Sequence, residues 1–210
     1  MGFNSYLAGH LRKPSGFFGR LVVAPVLNRL NEPMNALTEQ LLELQPFDRV
    51  LEVGFGGGDL MHRMARRVVN GRVSGVDLSP EMTTRAAKRF RALVEKGRLE
   101  VLCADVESLP FAPGEFTKAC TLNTIYFWPD PGRALREMSR VLEPGGRIVL
   151  GFTPKSVAEK APYTKHGFHL YEPDEVGRLL GDAGFQDVRM TTGARKTGAF
   201  VCASGTKLAW

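Results

Sequence analysis

Little in this 210-residue sequence suggests covalent or metal staples. There are three cysteines, Cys103, Cys120 and Cys202. They are scattered, odd in number, and form no CxxC pair or His–Cys cluster. A disulfide-stapled scaffold and a cysteine-based zinc site are therefore excluded, and no metal is expected. Two of the three lie in apolar, strand-like runs, so buried thiols in a reducing compartment are expected. Long hydrophobic runs are missing too, and no stretch has the length and apolarity of a membrane span. Arg12 and Lys13 before FFGRLVVAPVL loosely imitate a signal peptide, but Arg20 interrupts the apolar run and no small-residue cleavage site follows. The opening Met-Gly-Phe-Asn-Ser-Tyr misses the myristoylation pattern, because Tyr6 stands where Ser or Thr is required. The expectation is a cytoplasmic protein.

Neither sign of charge dominates. Lys and Arg number 28 against 22 Asp and Glu, a net charge of +6. That excess permits contact with nucleic acid, anionic lipid or acidic substrates without demanding any of them. The apolar and charged fractions, 43% and 24%, are those of an ordinary globular chain. The length suits one domain, or one domain and a lid.

From Arg49 onward, strand-like and helix-like segments alternate. Strands are expected at Arg49-Val53, Arg72-Asp77, Leu99-Cys103, Thr117-Leu122 and Arg147-Phe152, with two more near Asp187-Thr192 and Gly198-Ser204. Leu60, Met64 and Val68 keep helical spacing over Asp59 to Val69. Ser79-Pro80 and Asp130-Pro131 each read as an N-cap followed by proline at the first helical position. The first of these helices runs toward Val94. Pro144-Gly145-Gly146 stops the second. Val176, Leu179, Leu180 and Ala183 mark a further helix. Such alternation means a mostly parallel sheet covered on both faces. The last two strands have no helix between them, only a short turn near Gly193-Arg195, so the final one runs antiparallel. Residues 1 to about 45 stand outside this pattern, as a helical cap on the sheet or a lid over a ligand.

The most informative stretch is VLEVGFGGGDL, Val50 to Leu60, where Glu52 is followed by Gly54, Gly56 and Gly58 at alternate positions. Glycines at such spacing let a backbone turn sharply and approach a ligand. In open α/β sheets that loop lies at the ligand-binding edge, with unpaired N–H groups of the following helix beside it. A dinucleotide-binding G-x-G-x-x-G is absent: counted from Gly54, Asp59 occupies the last position. The pattern present is E-x-G-x-G-x-G.

Further motifs follow in order: VSGVDLSPEM with Asp77 closing the second strand, CADVESLPF after the third, TLNTIYFWPDP at the end of the fourth, and LEPGGRIVLGF before the fifth. Together, over roughly Arg49 to Phe152, they resemble the class I S-adenosylmethionine (SAM)-dependent methyltransferases. The small-molecule enzymes that methylate ubiquinone and menaquinone precursors look closest. The resemblance implies a doubly wound, Rossmann-like α/β sheet of seven strands in order 3-2-1-4-5-7-6, strand 7 antiparallel. Residues 46–210 would form the SAM-binding domain and 1–45 a helical cap or lid.

The resemblance also implies roles. Glu52 and the backbone of Gly54, Phe55, Gly56 and Gly58 would hold the methionine part of SAM. Asp77 would bind the ribose, Leu78 and Met82 would line the adenosine, and Asp105 and Val106 would take the adenine. Asn123 and Thr124 would border the methyl group. Transfer from a sulfonium is an in-line displacement, so the protein chiefly supplies positioning and water exclusion. A phenol or amine acceptor would gain from a general base. His169 and Tyr126 are the candidates for catalysis, with His166 as an alternative base and His10 arriving with the lid. Tyr126, Trp128, His166 and Tyr171 are candidates for binding the acceptor, with Phe127 and Phe168 nearby.

One departure bears on the acceptor. Enzymes that methylate DNA amino groups carry Asn or Asp, two prolines and an aromatic where this chain has Asn123-Thr124-Ile125-Tyr126. The missing prolines argue against nucleic acid. The expected acceptor is small and aromatic or lipophilic. The alternatives are a phospholipid or quinone methylated at the membrane surface, through the basic segment from Arg12 to Arg29, and a SAM-binding module without catalysis. A monomer or homodimer is expected.

Overall fold

The computed structural model describes residues 24–209, with side chains from residue 31 onward. Seven strands form one sheet in the order β3-β2-β1-β4-β5-β7-β6. The strands are β1 (Arg49–Val53), β2 (Arg72–Asp77), β3 (Leu99–Cys103), β4 (Phe116–Leu122), β5 (Leu142–Phe152), β6 (Phe185–Arg195) and β7 (Gly198–Lys207). Strand β7 runs antiparallel to both β5 and β6, and the other neighbours are parallel. The carboxyl ends of β1 to β6 therefore share one edge.

Helices cover both faces. On one face lie α1 (Ala24–Leu42), α2 (Asp59–Arg67) and α3 (Pro80–Arg89), whose Met34, Leu60, Met64 and Met82 pack with Val50, Val149 and Cys202 of the sheet. A short helix, α4 (Arg91–Glu95), follows α3. On the other face α5 (Pro131–Val141) and α7 (Pro173–Asp182) bury Leu135, Met138, Val176 and Leu180 against Leu51, Ile148 and Val201. Between β5 and α7 lie the single-turn helix α6 (Lys155–Ala158) and a 3-10 turn, Pro162–Lys165.

The helix starts follow the sequence chemistry. The side chain of Asp130 accepts the Arg133 N–H at 2.9 Å, and Ser79 Oγ accepts that of Met82 at 3.4 Å, each ahead of a proline at the first helical position. Several boundaries differ from the pattern read in the sequence, three of them for a visible reason. The helix expected to reach Val94 breaks at Phe90, whose ring is buried beneath the glycine loop and stacked on His62 at 5.4 Å. Strand β5 starts at Leu142 rather than Arg147, because Leu142 pairs with Phe116 before the Pro144–Gly146 irregularity. Strand β6 runs through Gly193 to Arg195, so the turn before β7 is only Lys196 and Thr197.

Helix α1 lies directly on the sheet. Gly151 on β5 has no room for a side chain, since a Cβ there would meet Leu122 Cδ2 at 2.4 Å and Met34 Sδ at 2.9 Å. Thr38 Oγ1 reaches Cys202 Sγ at 3.7 Å. Cys120 and Cys202 are buried as expected, and Cys103 is exposed. No helix among the described residues is long and apolar enough to cross a membrane. His10 lies outside the described residues, and the side chains of the basic segment from Arg12 to Arg29 lie outside those described.

Candidate active site at the carboxyl edge of the sheet

The loop from β1 to α2 puts all three spaced glycines in the left-handed region, Gly54 at φ 70°, Gly56 at φ 50° and Gly58 at φ 76°. They serve different ends. A Cβ on Gly54 would stand 2.3 Å from Thr124 Cγ2, and one on Gly58 would stand 2.6 Å from the Phe90 ring. Those two allow the loop to close onto β4's exit and α3. A Cβ on Gly56 would meet nothing within 4 Å, so its backbone faces open space. Phe55 turns its ring into the core at 4% exposure and offers the loop only its backbone.

Two carboxylates flank this loop. Asp77, at the end of β2, accepts the Gly56 N–H on Oδ2 at 3.1 Å and the Ser79 N–H on Oδ1 at 2.9 Å. Burial raises its pKa, against the lowering effect of those two bonds. Glu52, on β1, is 4% exposed. It accepts a backbone hydrogen bond from Met61 in the first turn of α2, while its Oε2 is buried without a partner. Burial first, then the charges of Asp77 and Asp59, push its carboxyl up to about 8. An unpartnered buried acceptor beside an open glycine cradle suits a cationic ligand group such as an ammonium.

The remaining residues expected around a nucleoside occupy the adjoining loops. Leu78 is 62% exposed beside Asp77, whereas Met82, in the first turn of α3, is 3% exposed and belongs to the core. Asp105 is exposed in a tight turn, its Oδ1 accepting the Glu107 N–H at 3.0 Å. Val106 beside it is a core residue at 8% exposure.

The exit of β4 leads to a second group of side chains. Asn123 adopts a left-handed φ of 56°, which non-glycine residues seldom do. Its Nδ2 donates to Asn31 Oδ1 of α1 at 3.2 Å, and its Oδ1 lies 3.3 Å from the Tyr126 hydroxyl. That hydroxyl accepts the Thr153 N–H at the exit of β5. Thr153 Oγ1 accepts from Arg195 Nη2 at 2.6 Å, and Arg195 Nη1 donates to Asn31 Oδ1 at 3.0 Å. The hydrogen bonds thus close a ring through Asn31, Asn123, Tyr126, Thr153 and Arg195, which joins α1 to the ends of β4, β5 and β6. Beside Asn123, the hydroxyls of Thr124 and Thr121 bond each other.

Tyr126, a candidate for the chemistry and for binding the acceptor, is turned into the core and presents its hydroxyl to Asn123 and Thr153. It is 5% exposed, and burial raises its phenol pKa, so it stays protonated and holds Asn123 and Thr153 in place. Trp128 is likewise a core residue, at 6% exposure, and not a pocket wall. The aromatic surface comes instead from Phe168, whose ring lies 4.7 Å from Phe127, 5.8 Å from Tyr126 and 6.0 Å from Tyr163. Tyr171 is partly buried against the same core. His166 and His169 are exposed on this loop, and the His169 N–H donates to the Tyr126 carbonyl at 3.0 Å. No hydrogen bond from the described residues orients either imidazole.

The sequence reading missed Asn31, Thr153, Tyr163 and Arg195. Asn31 and Thr153 belong to no motif. The sequence places Arg195 in a turn after Gly193, yet it closes β6 and bonds Asn31 and Thr153.

Comparisons with known proteins agree with this geometry. Residues 51–150 match a methyltransferase domain family. An uncharacterized methyltransferase of Bacillus subtilis is 27% identical over 191 residues, covering 89% of this chain and 98% of that protein. A ubiquinone/menaquinone biosynthesis C-methyltransferase of Geotalea daltonii is 34% identical over 133 residues, 62% of this chain. The chain spans about half, 54%, of that enzyme's length. A SAM-dependent methyltransferase from Aquifex aeolicus has the same fold, with a TM-score of 0.71 at 22% identity over 97% of this chain and 99% of that one.

Proposed function

We infer the activity of this chain from its membership of the class I SAM-dependent methyltransferases: it methylates a small acceptor with an aromatic or lipophilic body. The observation that carries the cofactor reading is the pairing of the open Gly56 cradle with the orphaned Glu52 Oε2. A zwitterionic amino acid attached to a nucleoside presents an ammonium and two vicinal hydroxyls. Glu52 would take the ammonium and the backbone of Gly54, Gly56 and Gly58 would lie along the methionine. Asp77 would accept from the ribose hydroxyls. Leu78, Met82, Asp105 and the backbone at Val106 would enclose the adenosine, and Asn123 and Thr124 would border the reacting centre.

When bound, SAM supplies a methyl group already activated by the sulfonium charge. What the chain adds is placement. The glycine loop and α1, which packs on the sheet through Met34 and Thr38, would shield the carboxyl edge from water. The ring of hydrogen bonds fixes Asn123, and the aromatic group around Phe168 receives an apolar acceptor. His169 is positioned by its backbone near Tyr126 to accept a proton from a phenolic or amine acceptor.

Release of S-adenosylhomocysteine from SAM, followed across a panel of phenols, amines and quinols, tests this reading. Acceptor-dependent release supports it. Tight SAM binding with no release for any acceptor would favour a non-catalytic SAM-binding module.

A further inference from the structure

Arg195 is the most unusual charged group near the site. Arg195 is half-buried, and burial lowers its pKa. Among the described residues no carboxylate lies within ion-pair reach of it. Its polar partners are neutral: Asn31 Oδ1 at 3.0 Å and Thr153 Oγ1 at 2.6 Å, with the phenols of Tyr126 and Tyr163 as the charge-coupled neighbours. Its Nε is buried without a partner. The Phe200 ring lies 5.9 Å from the guanidinium carbon. A half-buried cation whose neighbours are all neutral is costly, and natural chains usually pair such groups.

Its position is as telling as its partners. Strand β6 runs parallel to β5 across β7, so Arg195 ends at the same edge as Thr153 and Asn123. Its side chain reaches back over Phe200 of β7 toward Thr153 at the end of β5. Through Asn31 it shares an acceptor with Asn123, the residue that borders the reacting centre.

We propose that Arg195, with Asn31, Thr153 and Tyr163, forms a subsite for an oxyanion carried by the methyl acceptor, a carboxylate or a phosphate. The inference rests on the methyltransferase reading and narrows it: the acceptor is acidic as well as apolar. The guanidinium supplies paired donors to a planar or tetrahedral anion, the hydroxyls of Thr153 and Tyr163 add neutral donors, and the aromatic group around Phe168 takes the apolar body. An acceptor so held spans the edge from β6 to the exit of β4. The opposing charges offset the burial of Arg195 only when the acceptor is present, so an uncharged analogue is discriminated against.

Calorimetric titrations test this with inorganic phosphate, benzoate and neutral benzamide as probes. They are run on the full chain at low ionic strength, with and without S-adenosylhomocysteine. The variants are Arg195→Met, Arg195→Lys and Asn31→Asp, the last placing a carboxylate beside the guanidinium. Wild type is expected to bind benzoate or phosphate about tenfold or more tightly than benzamide, and which of the two it prefers names the oxyanion. Arg195→Met and Asn31→Asp are expected to lose that preference, Arg195→Lys to keep part of it, and all three to retain their affinity for S-adenosylhomocysteine. Equal binding of benzoate, phosphate and benzamide, or anion binding that survives both Arg195→Met and Asn31→Asp, overturns the proposal. So does a loss confined to S-adenosylhomocysteine, which would assign Arg195 to the cofactor carboxylate. Failure of the wild type to bind S-adenosylhomocysteine counts against the methyltransferase reading alone, because the anion titrations without it stand by themselves. Should Arg195→Met fail to fold, Asn31→Asp decides, since it keeps a hydrogen-bond acceptor at the same place.

Discussion

Asn123 and Arg195 donate to one and the same oxygen, Asn31 Oδ1, at 3.2 and 3.0 Å. The first directly follows β4 and the second closes β6, and the shared acceptor belongs to α1. One amide oxygen therefore couples the helix over the sheet to both the centre and the flank of the carboxyl edge. Three consequences of this and the neighbouring geometry can be measured.

The glycine loop separates packing from binding. Gly56→Ala adds a methyl group into open space at a left-handed φ, so its cost to stability is expected to be about 1 kcal/mol. Its cost to SAM affinity is expected to be larger, because the methyl group occupies the cradle. Gly54→Ala drives a Cβ against Thr124 and is expected to destabilise the fold by several times as much. Thermal unfolding with and without S-adenosylhomocysteine distinguishes the two. The account expects ligand stabilisation to vanish in Gly56→Ala while the apo midpoint moves little.

Glu52 makes apo stability depend on pH. Its carboxyl is pushed up to about 8 from an ordinary 4.5. Between those values the folded protein holds a proton that the unfolded chain has released. The stability it contributes is therefore fully present below pH 4.5 and is lost as pH rises toward 8. Glu52→Gln is expected to flatten that decline in a urea titration series. A bound ammonium would stabilise the carboxylate, so SAM binding at neutral pH is expected to release a proton. Calorimetry in buffers of different ionisation enthalpy detects that release, and Glu52→Gln is expected to abolish it.

Tyr126 and His169 are separable. Tyr126→Phe leaves the Thr153 N–H without its phenol acceptor and is expected to cost about 1–3 kcal/mol in stability. It is also expected to lower kcat, because Asn123 loses a partner. His169→Ala removes an exposed ring and is expected to leave the unfolding midpoint unchanged. If His169 accepts the proton, kcat falls in that variant while its affinity for S-adenosylhomocysteine is unchanged.

Much of this was readable from residues alone. Strands β1, β2 and β3 fall where β-branched runs bounded by glycine and acid place them, and α3 and α5 start at Ser79 and Asp130 because a side-chain cap followed by proline is a local signal. The antiparallel β7 follows from the missing helix before it. What escaped depends on contacts distant in sequence. Phe90 breaks its helix because the glycine loop needs a ring beneath Gly58, and nothing near Phe90 announces that. Leu142 joins β5 by pairing with Phe116 across the sheet. The aromatic run after β4 looked like a pocket, but two of its rings, Tyr126 and Trp128, turn inward once the chain enters a 3-10 turn at Ile125–Phe127. Arg195 read as a turn residue because Gly193 precedes it, yet that glycine sits inside β6 so that the Phe200 ring can lie against it, where a Cβ would stand 2.2 Å away.

The most direct test of the central claim is calorimetric titration of the protein and Asp77→Ala with S-adenosylhomocysteine, with NAD as the competing ligand. Asp77 already holds the Gly56 and Ser79 amides, so its loss removes the brace of the loop together with the proposed ribose acceptor. The account predicts that the wild type binds S-adenosylhomocysteine and not NAD, and that Asp77→Ala weakens binding about tenfold or more. Binding of NAD without S-adenosylhomocysteine, or binding of S-adenosylhomocysteine undiminished in Asp77→Ala, would contradict it.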